Sequence, residues 1–262
     1  MPEKLVTADT LEPILKELGD LGIAAVQVKW PTKGIPGNHL YQPHLEGWAT
    51  FAPWNLDPMI LEMRDRIMSR GYVALVDGHR AWTLMWAFRQ TRNLAGEVWE
   101  AGVFQGASSY LLKCLALEQV ELGGAPTTIR LFDSFEGMPA TTPGLDQHSP
   151  GDFANTALAE VQAAVGAEDW IQFHQGWIPT TFAGLEASQV RLAHIDVDLY
   201  QSILDCCDFV YPRLVANGIM VFDDYGLAEC AGARAAVDFF FRGRPERLFP
   251  MLNGQCLVIK AP

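Results

Sequence analysis

Four aspartates stand where two apolar segments end. In HIDVDLYQS (194–202) they are Asp196 and Asp198, and in VFDDYG (221–226) they are Asp223 and Asp224. An Asp that follows a strand can cap the next helix by accepting from its free amides. Acids that converge can instead hold a hard divalent cation such as Mg2+, which takes carboxylate oxygens and water. Asp223 and Asp224 are adjacent and would repel one another without a cation. Three acids at two neighbouring strand ends therefore point to Asp196, Asp223 and Asp224 as metal ligands, with capping the alternative for any one of them. Asp198 lies two residues past Asp196, on the same side if the segment is extended. There it would sit beside the ion without ligating it, a position suited to a general base acting on a hydroxyl. Capping a helix that begins near Tyr200 is the alternative.

A second group of residues suggests a ligand. EAGVFQGAS (100–108) follows a strand and opens a helix, and Gly102 and Gly106 would let the backbone approach a bound molecule. The turn is not GxGxxG and lacks a phosphate-binding lysine, which disfavours dinucleotides and triphosphates. Glu100 would repel phosphate but suits a cationic ligand. Asp133, at the next strand end, could bind a ribose diol. A nucleoside with a positive group and no phosphate fits this set, namely S-adenosylmethionine. The alternative is a tight strand–helix turn with no ligand.

These residues need a scaffold that gathers strand ends. Strands are predicted at 97–103, 128–133, 170–176, 190–196 and 218–224, alternating with helices at 107–119, about 154–165, 201–216 and 229–243. That alternation predicts an α/β fold with a parallel sheet and helices on both faces, whose ligands bind at the carboxyl ends of the strands. ERLFPML and GQCLVIK, joined by Asn253-Gly254, must pair antiparallel. Ahead of the sheet, helices are expected at 57–70, 79–95 and 9–22. Residues 29–54, rich in Pro, Gly and aromatics, read as a lid or an oligomer contact, and a homodimer or higher homo-oligomer is expected from this apolar, loopy start. The division predicted is an extension over 1–71 and a catalytic domain over 72–262.

Composition narrows the partners. Among 262 residues, 49% are hydrophobic and 19% charged, and the net charge is −12. So acidic a chain fits neither nucleic-acid backbones nor anionic membranes. Its apolar runs are short of a membrane span, and its start lacks a signal-peptide pattern. The five cysteines (Cys114, Cys206, Cys207, Cys230 and Cys256) form no CxxC, so core thiols in a reducing cytoplasm are expected. Of the histidines, His194 reads as a packed or hydrogen-bonded core residue, whereas His148 is a rival base or an acceptor contact. Trp48, Phe51 and Trp54 would stack on a sugar or serve as ordinary packing.

GEVWEAGVFQGASSYLL, LFDSFEGMP, GDF, HIDVDLYQS and VFDDYG together resemble the macrocin O-methyltransferase family over roughly residues 72–260. The resemblance implies a Rossmann-like class I methyltransferase domain and a Mg2+-dependent transfer from S-adenosylmethionine to a sugar hydroxyl of a glycosylated natural product. Carried over by motif, Asp196, Asp223 and Asp224 are metal ligands and Asp198 is the base. Donor contacts fall on Glu100, Gly102, Val103, Gly106, Ser108, Asp133, Ser134, Phe135, Asp152, Gln175, Gly176, Trp177 and Asp196. HSPGDF (148–153) would close over donor and acceptor. Rival readings are a metal-dependent catechol or phenol O-methyltransferase, a non-catalytic small-molecule-binding domain and a metal-dependent hydrolase.

Overall fold

The computed structural model describes residues 41–43 and 49–262; the helix expected at 9–22, most of the 29–54 segment and Trp48 lie outside the described residues. The chain divides into two compact units, Met1–Pro53 and Trp54–Pro262. The first carries a short antiparallel pair, β1 (Tyr41–Pro43) and β2 (Ala49–Phe51).

The second unit is built on one seven-stranded sheet. Its strands are β3 (Glu97–Ala101), β4 (Ile129–Asp133), β5 (Ile171–Gln175), β6 (Val190–Ile195), β7 (Leu214–Phe222), β8 (Phe249–Pro250) and β9 (Cys256–Ile259), in the spatial order β5-β4-β3-β6-β7-β9-β8. The first five are parallel, and β9 runs antiparallel to both β7 and β8. This is the parallel sheet ending in an antiparallel hairpin that the alternation predicts. Strand order reverses between β3 and β6: the chain winds outward from β3 through β4 to β5, then returns to β6 on the other side of β3. A crevice opens at such a switch point.

Helices cover both faces. Against one face pack α1 (Pro58–Met68), α2 (Gly78–Thr91), α3 (Ala107–Glu121) and α4 (Leu158–Val165), through Ile60, Leu84, Leu111 and Val161 among others. Against the other pack α5 (Tyr200–Arg213) and α6 (Ala231–Phe241), through Ile203, Val210, Val237 and Phe241. β6 is buried along its whole length, as a central parallel strand covered on both faces must be. α1 begins where Asp57 caps it by accepting from the Met59 and Ile60 amides, with Pro58 at the first helical position. The helix expected from about 154 begins at Leu158. The one expected to run to 216 ends at Arg213, just after Pro212, and the chain turns directly into β7.

Trp54 serves packing, as one of its two readings had it. Its ring lies 4.7 Å from His79 and 6.5 Å from Trp82. Among the described residues no helix is long and apolar enough to cross a membrane.

Candidate active site

Register places the acids. Ala101 of β3 pairs with Ile195 of β6, which pairs with Phe222 of β7. The ladder runs one step further: the Asp196 amide donates to Ala101 O at 2.8 Å, and the Asp223 amide to Ile195 O at 2.9 Å. Asp196 and Asp223 are thus the next residues on adjacent strands, which lie about 5 Å apart in a sheet. An oxygen of Asp196, an oxygen of Asp223 and a ring nitrogen of His194 all fall within 4.8 Å of one another. Asp224 follows and is 3% exposed.

None of the four aspartates caps a helix. α5 has Leu199 at its N-cap, and its first amide, that of Tyr200, donates instead to Asp146 Oδ1 at 2.9 Å. The 3-10 turn at Ala228–Cys230 and α6 behind it have no side-chain cap. With capping excluded, the acids are left with a shared electrostatic problem. Burial, then the charge of Asp196, pushes Asp224 up to about 7; burial, then the charge of Asp224, pushes Asp198 up to about 7. Burial also raises Asp196.

The cation beside them is Arg80, from the first turn of α2. Its Nη2 contacts Asp223 Oδ2 and lies 3.2 Å from Asp224 Oδ1. Its Nε is buried and has no hydrogen-bond partner among the described residues. One guanidinium with an orphaned donor does not match three carboxylates. An all-oxygen donor set with excess negative charge is what a hard divalent ion takes, so Asp196, Asp223 and Asp224 fit one. His194 lies beneath them, fully buried, with Nδ1 2.9 Å from Glu100 Oε1 and Nε2 3.2 Å from Asp223 Oδ1. Burial alone would lower its pKa, but the Glu100 hydrogen bond and the Glu100 and Asp196 charges outweigh this and raise it. His194 is a hydrogen-bonded core residue, as expected.

Asp198 arrives by a different route from the one predicted. The strand stops at Ile195 and Asp198 has φ of 55°, so the segment is not extended there and strand alternation does not aim it. A left-handed turn brings its amide within 3.3 Å of Asp224 Oδ2. Asp tolerates this conformation better than most residues. The carboxylate receives the Cys230 thiol at 3.3 Å and lies 3.7 Å from His148 Nε2.

The Gly-rich turn is shaped by the same crevice. Gly102 has φ of 87°, and a Cβ there would run into the Asp196 carbonyl. Close approach of two backbones is therefore why Gly102 is glycine. Gly102→Ala is expected to destabilise the fold by about 3 kcal/mol, combining left-handed strain with the clash. Denaturant unfolding measures this, and a loss under about 0.5 kcal/mol, the level of an inert surface change, would contradict it. Gly106, φ 86°, meets Val161 and Val165 of α4 in the same way. Asp133 already accepts from three amides, those of Val103 (2.7 Å), Phe104 (2.9 Å) and Phe135 (2.7 Å). It fixes the turn on which a ligand would rest.

A cleft of about 390 Å³ lies above these strand ends. Of the residues predicted to serve the site, Gly102, Val103, Ser108, Asp133, Ser134, Gly176, Trp177, Asp196, Asp198, Asp223, Asp224 and His148 line it. Glu100 does not: it is fully buried, bonded to His194 and Ser109 under the floor. Gly106, Phe135, Asp152 and Gln175 also lie off the lining. Asp152 closes the 137–153 loop, accepting the Ser149 amide on Oδ2 and the Met138 amide on its carbonyl, both at 2.8 Å.

Sequence reasoning missed Arg80, Cys230 as a site residue, Phe104 and Asp146. Arg80 carries a signal: a cation in the first turn of a helix opposes the macrodipole and needs an anion elsewhere. Phe104 and Phe153, both at positive φ, meet edge-to-face at 5.3 Å across the cleft mouth.

A model of the macrocin O-methyltransferase family matches residues 84–245. The 8-demethyl-8-(2,3-dimethoxy-alpha-L-rhamnosyl)-tetracenomycin-C 4'-O-methyltransferase of Streptomyces olivaceus is 28% identical over 152 residues, 54% of this chain and 57% of that one. The demethyldecarbamoylnovobiocin O-methyltransferase of Streptomyces niveus is 27% identical over 161 residues, 56% of this chain and 58% of that one. The chain thus spans under two thirds of the length of these relatives. Among solved structures, the O-methyltransferase NovP superposes with a TM-score of 0.65 at 19% identity, covering 76% of this chain and 88% of its own. That likeness shows the fold.

Proposed function

Because the chain belongs to the macrocin O-methyltransferase family, we propose that it transfers a methyl group from S-adenosylmethionine to a sugar hydroxyl of a glycosylated natural product, with Mg2+ at the carboxylate cluster. The observation that carries this reading is the meeting of Asp196 and Asp223 at adjacent strand ends, with Asp224 bonded to Asp196 and to the Asp198 amide and no helix cap to account for any of them. The tetracenomycin relative, named for a rhamnosyl-bearing substrate, supports the choice of a sugar acceptor.

S-adenosylmethionine supplies an electrophilic methyl carbon on a sulfonium. Gly102, Val103, Ser108, Asp133, Ser134, Gly176 and Trp177 provide the cradle for it. Asp196, Asp223 and Asp224 would hold Mg2+, which would supply Lewis-acid activation and aim to an acceptor hydroxyl. Asp198 takes the proton of that hydroxyl. Burial raises this carboxylate, and the Asp224 charge raises it further while no ion is bound, which makes it a stronger base than an exposed Asp. Phe104, Phe153 and Trp177 add apolar surface to the cleft, and a drier site would favour a reaction in which nucleophile and sulfonium lose charge together.

Calorimetric titration with S-adenosylhomocysteine, with and without Mg2+, tests the reading. Binding is expected in both. No binding in either would remove the methyltransferase assignment and return the hydrolase and non-catalytic readings.

A pH dependence follows from the raised acids. Asp198 and Asp224 go from an ordinary 3.8 to about 7 on folding, so the folded state holds protons more tightly. The stability this gives is complete below pH 3.8 and lost as pH rises through about 7. In EDTA, Tm should therefore fall across that window through these groups, and added Mg2+ should raise Tm more at the upper end than the lower. Equal Mg2+ shifts at both ends would count against the cluster as the ion's site.

A further inference from the structure

Beside the all-oxygen cluster sits a group of different chemistry. His148 comes from the 137–153 loop, Asp198 from the turn after β6 and Cys230 from the 3-10 turn before α6. All three line the cleft. Cys230 Sγ is 3.3 Å from Asp198 Oδ1 and 3.7 Å from His148 Nε2, and His148 Nε2 is 3.7 Å from Asp198 Oδ1.

We propose that His148, Asp198 and Cys230 form a second metal site, selective for a soft-to-borderline divalent ion of the zinc class. The geometry carries it. Tetrahedral Zn2+ bonds lie near 2.3 Å to sulfur and about 2.0–2.1 Å to nitrogen and oxygen, so three such ligand atoms stand roughly 3.3–3.6 Å apart. The three separations here are within a few tenths of an ångström of that triangle without any rearrangement. A fourth position faces the cleft, open to water or to a ligand. The donor set carries the selectivity: sulfur and imidazole favour zinc, whereas Mg2+ prefers the carboxylates of Asp196, Asp223 and Asp224. On binding, the thiol proton now donated to Asp198 leaves to solvent, and the sulfur lone pair it held becomes the metal bond.

An ion held here occupies Asp198. On the methyl-transfer reading, which this consequence alone rests on, zinc-class ions inhibit by taking the base rather than by displacing Mg2+.

The test is a Co2+ titration of the metal-stripped full chain in saturating Mg2+, followed by absorption. One equivalent of Co2+ is expected to give a near-ultraviolet thiolate-to-cobalt charge-transfer band with intense tetrahedral visible bands. Cys230→Ser should abolish the charge-transfer band, and His148→Gln should weaken Co2+ binding by roughly 100-fold, the upper end of what even indirect metal-site contacts contribute. Cys114→Ser, at a thiol elsewhere in the chain, should keep the band. Retention of the wild-type thermal transition shows that each variant is folded. A wild-type protein with no such band, or a band that survives Cys230→Ser, overturns the site. Turnover that is unchanged with zinc bound at one equivalent overturns the inhibitory role while leaving the site itself intact, and S-adenosylhomocysteine binding separates either failure from a failure of the methyltransferase reading.

Discussion

Asp198→Asn is expected to lower kcat by about 10²–10⁴-fold, the usual contribution of a positioned general base, while S-adenosylhomocysteine binds as before. The substitution is unusually clean at this position. Asp198 has φ of 55°, and asparagine is the residue other than glycine that best tolerates that backbone. The amide oxygen of asparagine can still accept from the Cys230 thiol, and the backbone amide keeps its bond to Asp224. What disappears is the ability to take a proton. The rate is to be compared across pH, because wild-type turnover should rise with ionisation of Asp198, and the variant should lack that rise. A variant retaining more than about a tenth of wild-type kcat would fall outside the range for a lost base and transfer the role to His148, which faces the same space.

Arg80→Met should cost about 3–5 kcal/mol of stability in EDTA, the loss that follows when one partner of a buried ion pair is removed. Asp223 and Asp224 are 1% and 3% exposed, so the charges left behind are poorly hydrated. Methionine keeps the length and apolar stem of arginine, which limits any cavity. Mg2+ should then restore more stability to the variant than to the wild type, because the ion no longer shares the Asp223 and Asp224 oxygens with a guanidinium. Chemical denaturation with and without Mg2+ measures both terms. A loss under about 1 kcal/mol, the level of a surface pair, or a variant indifferent to Mg2+, would show that Arg80 is not the counter-charge to this cluster.

The sheet was legible because each parallel strand is a short apolar run followed by a helical period, and because Asn253-Gly254 can join only antiparallel neighbours. The meeting of Asp196 with Asp223 was legible for a related reason: strand ends are predictable, and adjacent strands bring their next residues together. The geometry of Asp198 was not legible. Val197-Asp198-Leu199 carries no Gly or Pro to announce a left-handed turn, so period-two reasoning runs on past the end of the strand. Glu100 was assigned to the donor because it opens the Gly-rich turn. Its side chain points under the sheet end, where His194 and Ser109 satisfy it. Partners distant in sequence were beyond reach for a plainer reason: Arg80 meets Asp224 from 144 positions away and Cys230 meets Asp198 from 32, and no local pattern encodes either meeting.

Asp146 ties two things that could have been separate. One of its oxygens accepts the Thr142 amide at 2.6 Å within the 137–153 loop, and the other accepts the Tyr200 amide, the first of α5, at 2.9 Å. His148 is two residues beyond it in the loop, and Asp198 is two residues ahead of Tyr200. Any displacement of the loop at Asp146 would therefore take a partner from the first amide of α5 and disturb the segment that sets His148 against Asp198. The order of the loop and the order of the turn that carries Asp198 are thus tied through one carboxylate.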